Sequence, residues 1–164
     1  PNVVLIKGIN DDEIIDFINL TKERPIEVRF IELMPMGQGR ELFEKGYISY
    51  EEVLKGFPEL KPLPKGEHQV ASLYKLPNSK GTVGFITPMS CKFCNGCNRI
   101  RLTASGTIKP CLHSEEEIDI KGLINQKDLL LQAIKSAIYN KPLEHHLDEE
   151  GESKSLRPMY QIGG

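Results

Sequence analysis

No run of apolar residues in this 164-residue sequence comes near the roughly 20 needed to cross a bilayer as a helix. The longest, such as residues 3–6 and 129–131, stop after a few positions, so no membrane span is expected. There is no excess of positive charge either: 21 Lys and Arg stand against 23 Asp and Glu, a net charge of −2. Proteins whose main task is to hold nucleic acid show the opposite balance, because they bind by neutralising phosphates; only local basic sites are expected here. A basic, apolar, small-residue leader is missing, and the chain begins at Pro1 rather than Met, which suggests either a processed product or, in preference, a piece of a longer protein. Cysteine is scarce, four residues, with no secretory context to support pairing. What is present is a hydrophobic content of 39%, enough to bury a core without staples and too high for a disordered chain.

Residues 2–7 are β-branched and apolar, and Gly8 ends the run before Asn10, Asp11, Asp12 and Glu13 supply an N-cap and an acidic first turn. Ile14, Ile15, Phe17, Ile18 and Thr21 then recur at helical spacing, and Pro25 stops the helix. Residues 27–33 read as a second strand. Strand, helix and strand with short connections predict a parallel βαβ unit, whose sheet two strands alone cannot complete. Pro35, Gly37 and Gly39 change the pattern to a loop, and a boundary near residue 40 divides the chain into residues 1–40 and 41–164. Beyond it the sequence predicts a short helix over 50–55 capped by Ser49 and strands over 70–76, 82–86 and 98–104. A turn at Ser105 and Gly106 leads into a strand over 107–109. A helix over 126–139 comes next, with Leu129, Leu130, Ala133, Ile134, Ala137 and Ile138 on its apolar side. The fold class is α/β followed by α+β.

All four cysteines lie in the run Cys91-Lys-Phe-Cys94-Asn-Gly-Cys97 and at Cys111. Cysteines used as small core residues scatter with the hydrophobic pattern. These flank an Asn-Gly turn and close a hairpin, which is expected to return Cys111 beside Cys94 and Cys97. Spacing leaves two occupants open: a closed tetrahedral zinc on four thiolates, or an iron–sulfur cluster with a fourth cysteine far from its ferredoxin position. A non-catalytic zinc-binding interaction module therefore stands as a function of a different class. Arg99 and Arg101, two apart on a predicted strand, share one face, and guanidinium forks suit phosphate oxygens. Lys92, Lys109 and the pair His145 and His146 are expected in solvent, and the four histidines have no metal-site spacing.

The segment Phe93-Cys94-Asn95-Gly96-Cys97-Asn98-Arg99-Ile100-Arg101-Leu102-Thr103, with Gly106 and Cys111-Leu112, resembles the GTP 3',8-cyclases of molybdenum cofactor biosynthesis, a radical S-adenosylmethionine family. Val3-Val4, Lys7-Gly8-Ile9-Asn10, Val28-Arg29-Phe30-Ile31-Glu32 with Met34, and the terminal Ile162-Gly163-Gly164 extend the resemblance along the whole chain. It implies the last βα units of an incomplete TIM-like (βα)6 barrel over 1–40, and over 41–164 a C-terminal iron–sulfur domain with a Gly-Gly tail. It implies a 4Fe-4S cluster on Cys94, Cys97 and Cys111, with Cys91 departing from the family pattern. GTP would be held by Arg99 and Arg101, Arg29 and Met34 would line the S-adenosylmethionine and active-site region, and Gly163 and Gly164 would reach towards it. The parent would be a cytoplasmic lyase, with GTP as substrate and a partner protein in cyclic pyranopterin synthesis. Its radical-generating Cys-x3-Cys-x2-Cys motif does not occur in this sequence, so the chain alone is expected to be inactive and to need the missing N-terminal half. An open barrel edge makes a homodimer a further expectation.

Overall fold

The apolar N-terminal run forms β1 (Asn2–Leu5), and the helical stripe forms α1 (Ile14–Glu23), which returns the chain to β2 (Glu27–Glu32). β1 and β2 pair in parallel, Val3 against Phe30 and Leu5 against Glu32, as the βαβ spacing predicts. Asn10 does not cap the helix as expected. Its Oδ1 accepts the Ile6 amide at 2.8 Å and its Nδ2 donates to the Val4 carbonyl at 2.9 Å, while Asp11 accepts the Gly8 amide at 2.6 Å. These side chains seal the exit from β1, and a short 3-10 turn (Asp11–Glu13) without a side-chain cap leads into α1. Ile14, Ile18 and Thr21 are buried, and Ile15 stays in solvent.

The computed structural model describes residues 1–145, 147, 153, 155, 157, 161 and 162. These form two compact units, Pro1–Met34 with Gly39–Gly96, and Pro35–Gln38 with Cys97–Gly164. The chain thus leaves the first unit for four residues near the expected boundary and then returns to it. The sheet of the first unit is incomplete without residues 39–96, because β2 has a second parallel neighbour, β5 (Thr82–Ile86), with Val28 against Val83 and Phe30 against Phe85. Between them lie α2 (Gly39–Gly46), α3 (Tyr50–Gly56), β3 (Lys61–Pro62) and β4 (Ser72–Lys75). β4 pairs antiparallel with β5 and β3 with β4, giving a mixed sheet of order β1-β2-β5-β4-β3.

α2 forms where the glycine pattern predicts loop, because glycines at both of its ends obscure the six-residue interior. α3 starts as Ser49 predicts. Ser49 Oγ accepts the Glu52 amide at 3.3 Å and Glu52 accepts the Ser49 amide at 3.2 Å, a reciprocal cap. Phe30 and Phe85 meet at 5.8 Å in the core, with Phe17 edge-on to Phe30 and Tyr74 edge-on to Phe85. Val28 and Val83 are fully buried, and each such side chain contributes about 1.5–3 kcal/mol.

The second unit is built on a three-stranded antiparallel sheet, β6 (Arg101–Leu102), β7 (Thr107–Lys109) and β8 (Ile118–Asp119), with α4 (Lys127–Tyr139). The expected hairpin is present, and Gly106 takes φ +84 at its turn, a left-handed conformation that glycine adopts without strain. The strand expected over 98–104 shortens to two residues, so Arg99 precedes β6. On α4, Ala137 is buried and Leu130, Ala133 and Ile134 are half-buried, but Leu129 and Ile138 are about half exposed, because at helical spacing they fall at the two lateral edges of the apolar stripe.

Two further expectations are corrected. Lys109 is 1% exposed: its Nζ donates to the Ser114 carbonyl at 2.6 Å and pairs with Glu117 at 3.6 Å. His145 is buried, its ring 4.8 Å from that of His113, while His146 lies outside the described residues. No helix among the described residues is long and apolar enough to cross a membrane.

Candidate functional site

Alternation along β2 turns Val28, Phe30 and Glu32 to the same, buried side, which leaves a carboxylate in the interior of the first unit. Glu32 is 4% exposed and fully engaged. It accepts the amides of Tyr50 at 3.2 Å, Met89 at 3.1 Å and Ser90 at 3.0 Å, together with the Ser90 hydroxyl. The Tyr47 hydroxyl joins this network, its pKa pushed up to about 12 by burial and by the negative charge of Glu32. Glu32 thereby ties the end of β2 to the loop that carries the first cysteines. Within that loop Thr87 Oγ1 donates to the Cys91 carbonyl at 3.1 Å and the Cys91 amide returns to Thr87. Cys91 is exposed, and Cys94 is half-buried in a 3-10 turn (Cys94–Gly96) whose last carbonyl lies 3.1 Å from His68 Nδ1.

Arg29 is on the opposite, outer face of β2, bonded through Nε to Glu27. Its register partner on β5 is Gly84, where an added Cβ would come within 3.2 Å of Arg29 Cγ and 3.1 Å of Leu73. Glycine at that position gives the arginine stem room to cross the strand. Met34 follows β2 and is half-buried.

In the second unit the β6–β7 register sets Arg101 against Lys109. Arg99 is exposed and Arg101 half-buried. Burial and the like charge of Arg99 lower the Arg101 pKa, and the negative charges of Cys111 and Cys97 oppose that effect. Both thiols therefore lie within electrostatic reach of one guanidinium. Burial by itself would raise the Cys97 pKa, yet the Arg99 amide, a hydrogen bond from Lys141 and the charges of Lys141 and Arg99 lower it overall. Such surroundings favour the thiolate, the form that binds metals. Lys141 Nζ lies 3.1 Å from Cys97 Sγ, 2.9 Å from the Cys97 carbonyl and 2.7 Å from the Arg99 carbonyl.

The second unit thus gathers Cys97, Cys111, Arg99 and Arg101, whereas Cys91, Cys94, Arg29 and Met34 belong to the first; Gly163 and Gly164 lie outside the described residues. No disulfide joins the four cysteines. Among the described residues no group of three His, Cys, Asp or Glu side chains is drawn together for a single metal ion. The donor chemistry nevertheless suits an iron–sulfur cluster: half-buried thiols, one biased towards the thiolate, beside cations that offset the charge of a thiolate-bound cluster.

Sequence reasoning missed two residues. Glu32 was legible as a carboxylate in phase with buried Val28 and Phe30. Lys141 had no local signal, since only the return of the chain after α4 brings it 42 to 44 positions back to Arg99 and Cys97.

Comparison with known proteins shows the family to which the chain belongs. A GTP 3',8-cyclase of Clostridium botulinum is 60% identical over 163 residues, 99% of this chain and 51% of the relative. The GTP 3',8-cyclases of Clostridium acetobutylicum and Alkaliphilus metalliredigens are 52% and 46% identical, again over 99% of this chain and 51% of theirs. The chain spans about half the length of these relatives and corresponds to their C-terminal half. Residues 26–147 match the family model for Molybdenum Cofactor Synthesis C, and the chain belongs to that family.

Proposed function

We propose that this chain is the substrate-holding half of a GTP 3',8-cyclase, a radical S-adenosylmethionine lyase that converts GTP to the cyclic pyranopterin precursor of molybdenum cofactor. In this reading residues 1–40 are the last units of a (βα)6 barrel and residues 41–164 a cluster and GTP-binding domain. Cys94, Cys97 and Cys111 hold a 4Fe-4S cluster. The observation that carries the reading is that Cys97, Cys111, Arg99 and Arg101 fall in one unit, with both thiols and Arg99 acting electrostatically on the Arg101 guanidinium. Thiolates beside two guanidinium groups suit a cluster and a polyphosphate at the same place.

When bound through three cysteines, the cluster offers an iron with an open position, a Lewis acid for a purine nitrogen. The chain's own residues do the rest. Arg99, exposed, and Arg101, half-buried, bind the triphosphate and orient the nucleotide, which lowers the entropic part of the barrier for a reaction at its ribose. Arg29 and Met34 line the S-adenosylmethionine side, and Gly163 and Gly164 close in from the tail. The parent protein works in the cytoplasm with a partner of cyclic pyranopterin synthesis, and the radical arises in its other half. This chain alone binds without turnover, and its open sheet edge supports self-association.

Anaerobic reconstitution with iron and sulfide tests the proposal. The expected product is brown, holds about four irons per chain and changes its spectrum on addition of GTP. One tightly held zinc with no iron uptake would overturn it in favour of the interaction module.

A further inference from the structure

Lys141 lies just beyond the C-terminus of α4 and reaches back across the second unit to a segment 42 to 44 residues earlier. An ammonium has three donors. Here they have three acceptors: the Cys97 carbonyl at 2.9 Å, Cys97 Sγ at 3.1 Å and the Arg99 carbonyl at 2.7 Å. No donor is left for a phosphate, so the charge of Lys141 serves the chain rather than a ligand. Two carbonyls separated by one residue converge on one cation, which fixes the backbone of Cys97, Asn98 and Arg99 and sets the direction in which the Arg99 side chain leaves it.

We infer that Lys141 is a positioning residue: a single ammonium locks the cysteine ligand and the first arginine of the phosphate clamp into one rigid element. The lock is a matter of geometry within the second unit; its consequence for cluster and nucleotide rests on the function proposed above. A hydrogen bond from a cation to a ligating sulfur favours the more negative, reduced state of a cluster and raises its potential. Arginine cannot replace it, since a planar fork does not direct three donors to converging acceptors from one atom.

Two measurements on the full chain test this. The first is competitive acylation of amines in the metal-free protein with a water-soluble N-hydroxysuccinimide ester, read by peptide mass spectrometry. Lys141 is expected to react at least tenfold more slowly than the exposed Lys127 and Lys135 of α4; equal rates overturn the lock whether or not the protein takes up iron. The second compares reconstituted wild type with Lys141→Met and Lys141→Arg. Both variants are expected to load iron, to show a more negative midpoint potential and to bind GTP several-fold more weakly. An unchanged potential together with unchanged GTP affinity overturns the inference. If the wild-type chain takes up no iron, the proposed function fails, and acylation alone decides the lock. If a variant does not fold, acylation of the wild type again decides it.

Discussion

Ser90 gives Glu32 both of its donors, its amide 3.0 Å from Oε2 and its hydroxyl bonded to Oε1. With the Met89 amide on the same carboxylate, this fixes the loop leading to Cys91 and Cys94 against the end of β2. Glu32→Gln keeps the size but replaces one acceptor oxygen with a donor that faces buried amides. The expected cost is about 1–3 kcal/mol, the penalty of leaving buried donors unmatched. Urea denaturation should register that loss, and alkylation of Cys91 and Cys94 should accelerate while that of Cys111 does not. Unchanged stability with unchanged thiol reactivity would show that the loop is held by something else.

Replacement of Arg99 and Arg101 by alanine together removes the proposed phosphate contacts. Charge-assisted hydrogen bonds are worth about 1.5–3 kcal/mol each, so GTP affinity of the reconstituted chain should fall by well over tenfold in calorimetry. Arg101→Ala should also loosen the hairpin slightly, because that side chain is half-buried. Equal affinity in the double variant would sink the clamp.

Cys91 is exposed while the other three cysteines are half-buried, and the difference predicts their roles. Cys91→Ser should leave iron content near four per chain after reconstitution, whereas Cys97→Ser and Cys111→Ser should abolish a stable cluster. Iron and sulfide assays decide this directly. Loss of iron in Cys91→Ser with retention in Cys97→Ser would reverse the assignment.

Two groups of the second unit set its pH dependence. His113 is held near 4, below the ordinary 6.5, first by burial and then by the His145, Arg101 and Lys109 charges. The unfolded chain therefore takes up a proton that the folded one refuses, and stability present above pH 6.5 is lost as pH falls towards 4. Glu117 is held near 2, below 4.5, by hydrogen bonds from Arg157 and Thr107 that outweigh its burial, with the Arg157 and Lys109 charges assisting. Its contribution is present above pH 4.5 and is lost between there and about 2. Thermal melts across pH should show both declines. Glu117→Gln should flatten the lower one and His113→Asn the upper one.

Periodicity carried the sequence reading where elements are regular. Thr82–Ile86 as a strand, the parallel pairing of β1 with β2 and the Ser49 cap of α3 each depend on residues close together in sequence. Long-range partnership was not legible. Nothing in residues 27–33 says that their second neighbour lies some 55 positions away at Thr82–Ile86, or that Lys109, charged and in a short strand, ends up buried against Glu117. The site obeyed the same rule. The cysteines and arginines announce themselves by spacing, whereas Glu32 and Lys141 act through contacts that only the folded chain creates.

The separation of β2 from β5 also governs how the first unit is made. During synthesis β2 emerges with β1 already available, but its other edge waits until residue 86 has left the ribosome, with two helices and two further strands produced in between. Through that interval Val28 and Phe30 lie in an unfinished sheet. Parallel pairing at this sequence distance is slow to close and prone to aggregation while it is open. Folding yield in the cell should therefore depend more on how quickly β5 docks than on the intrinsic strength of the βαβ unit that precedes it.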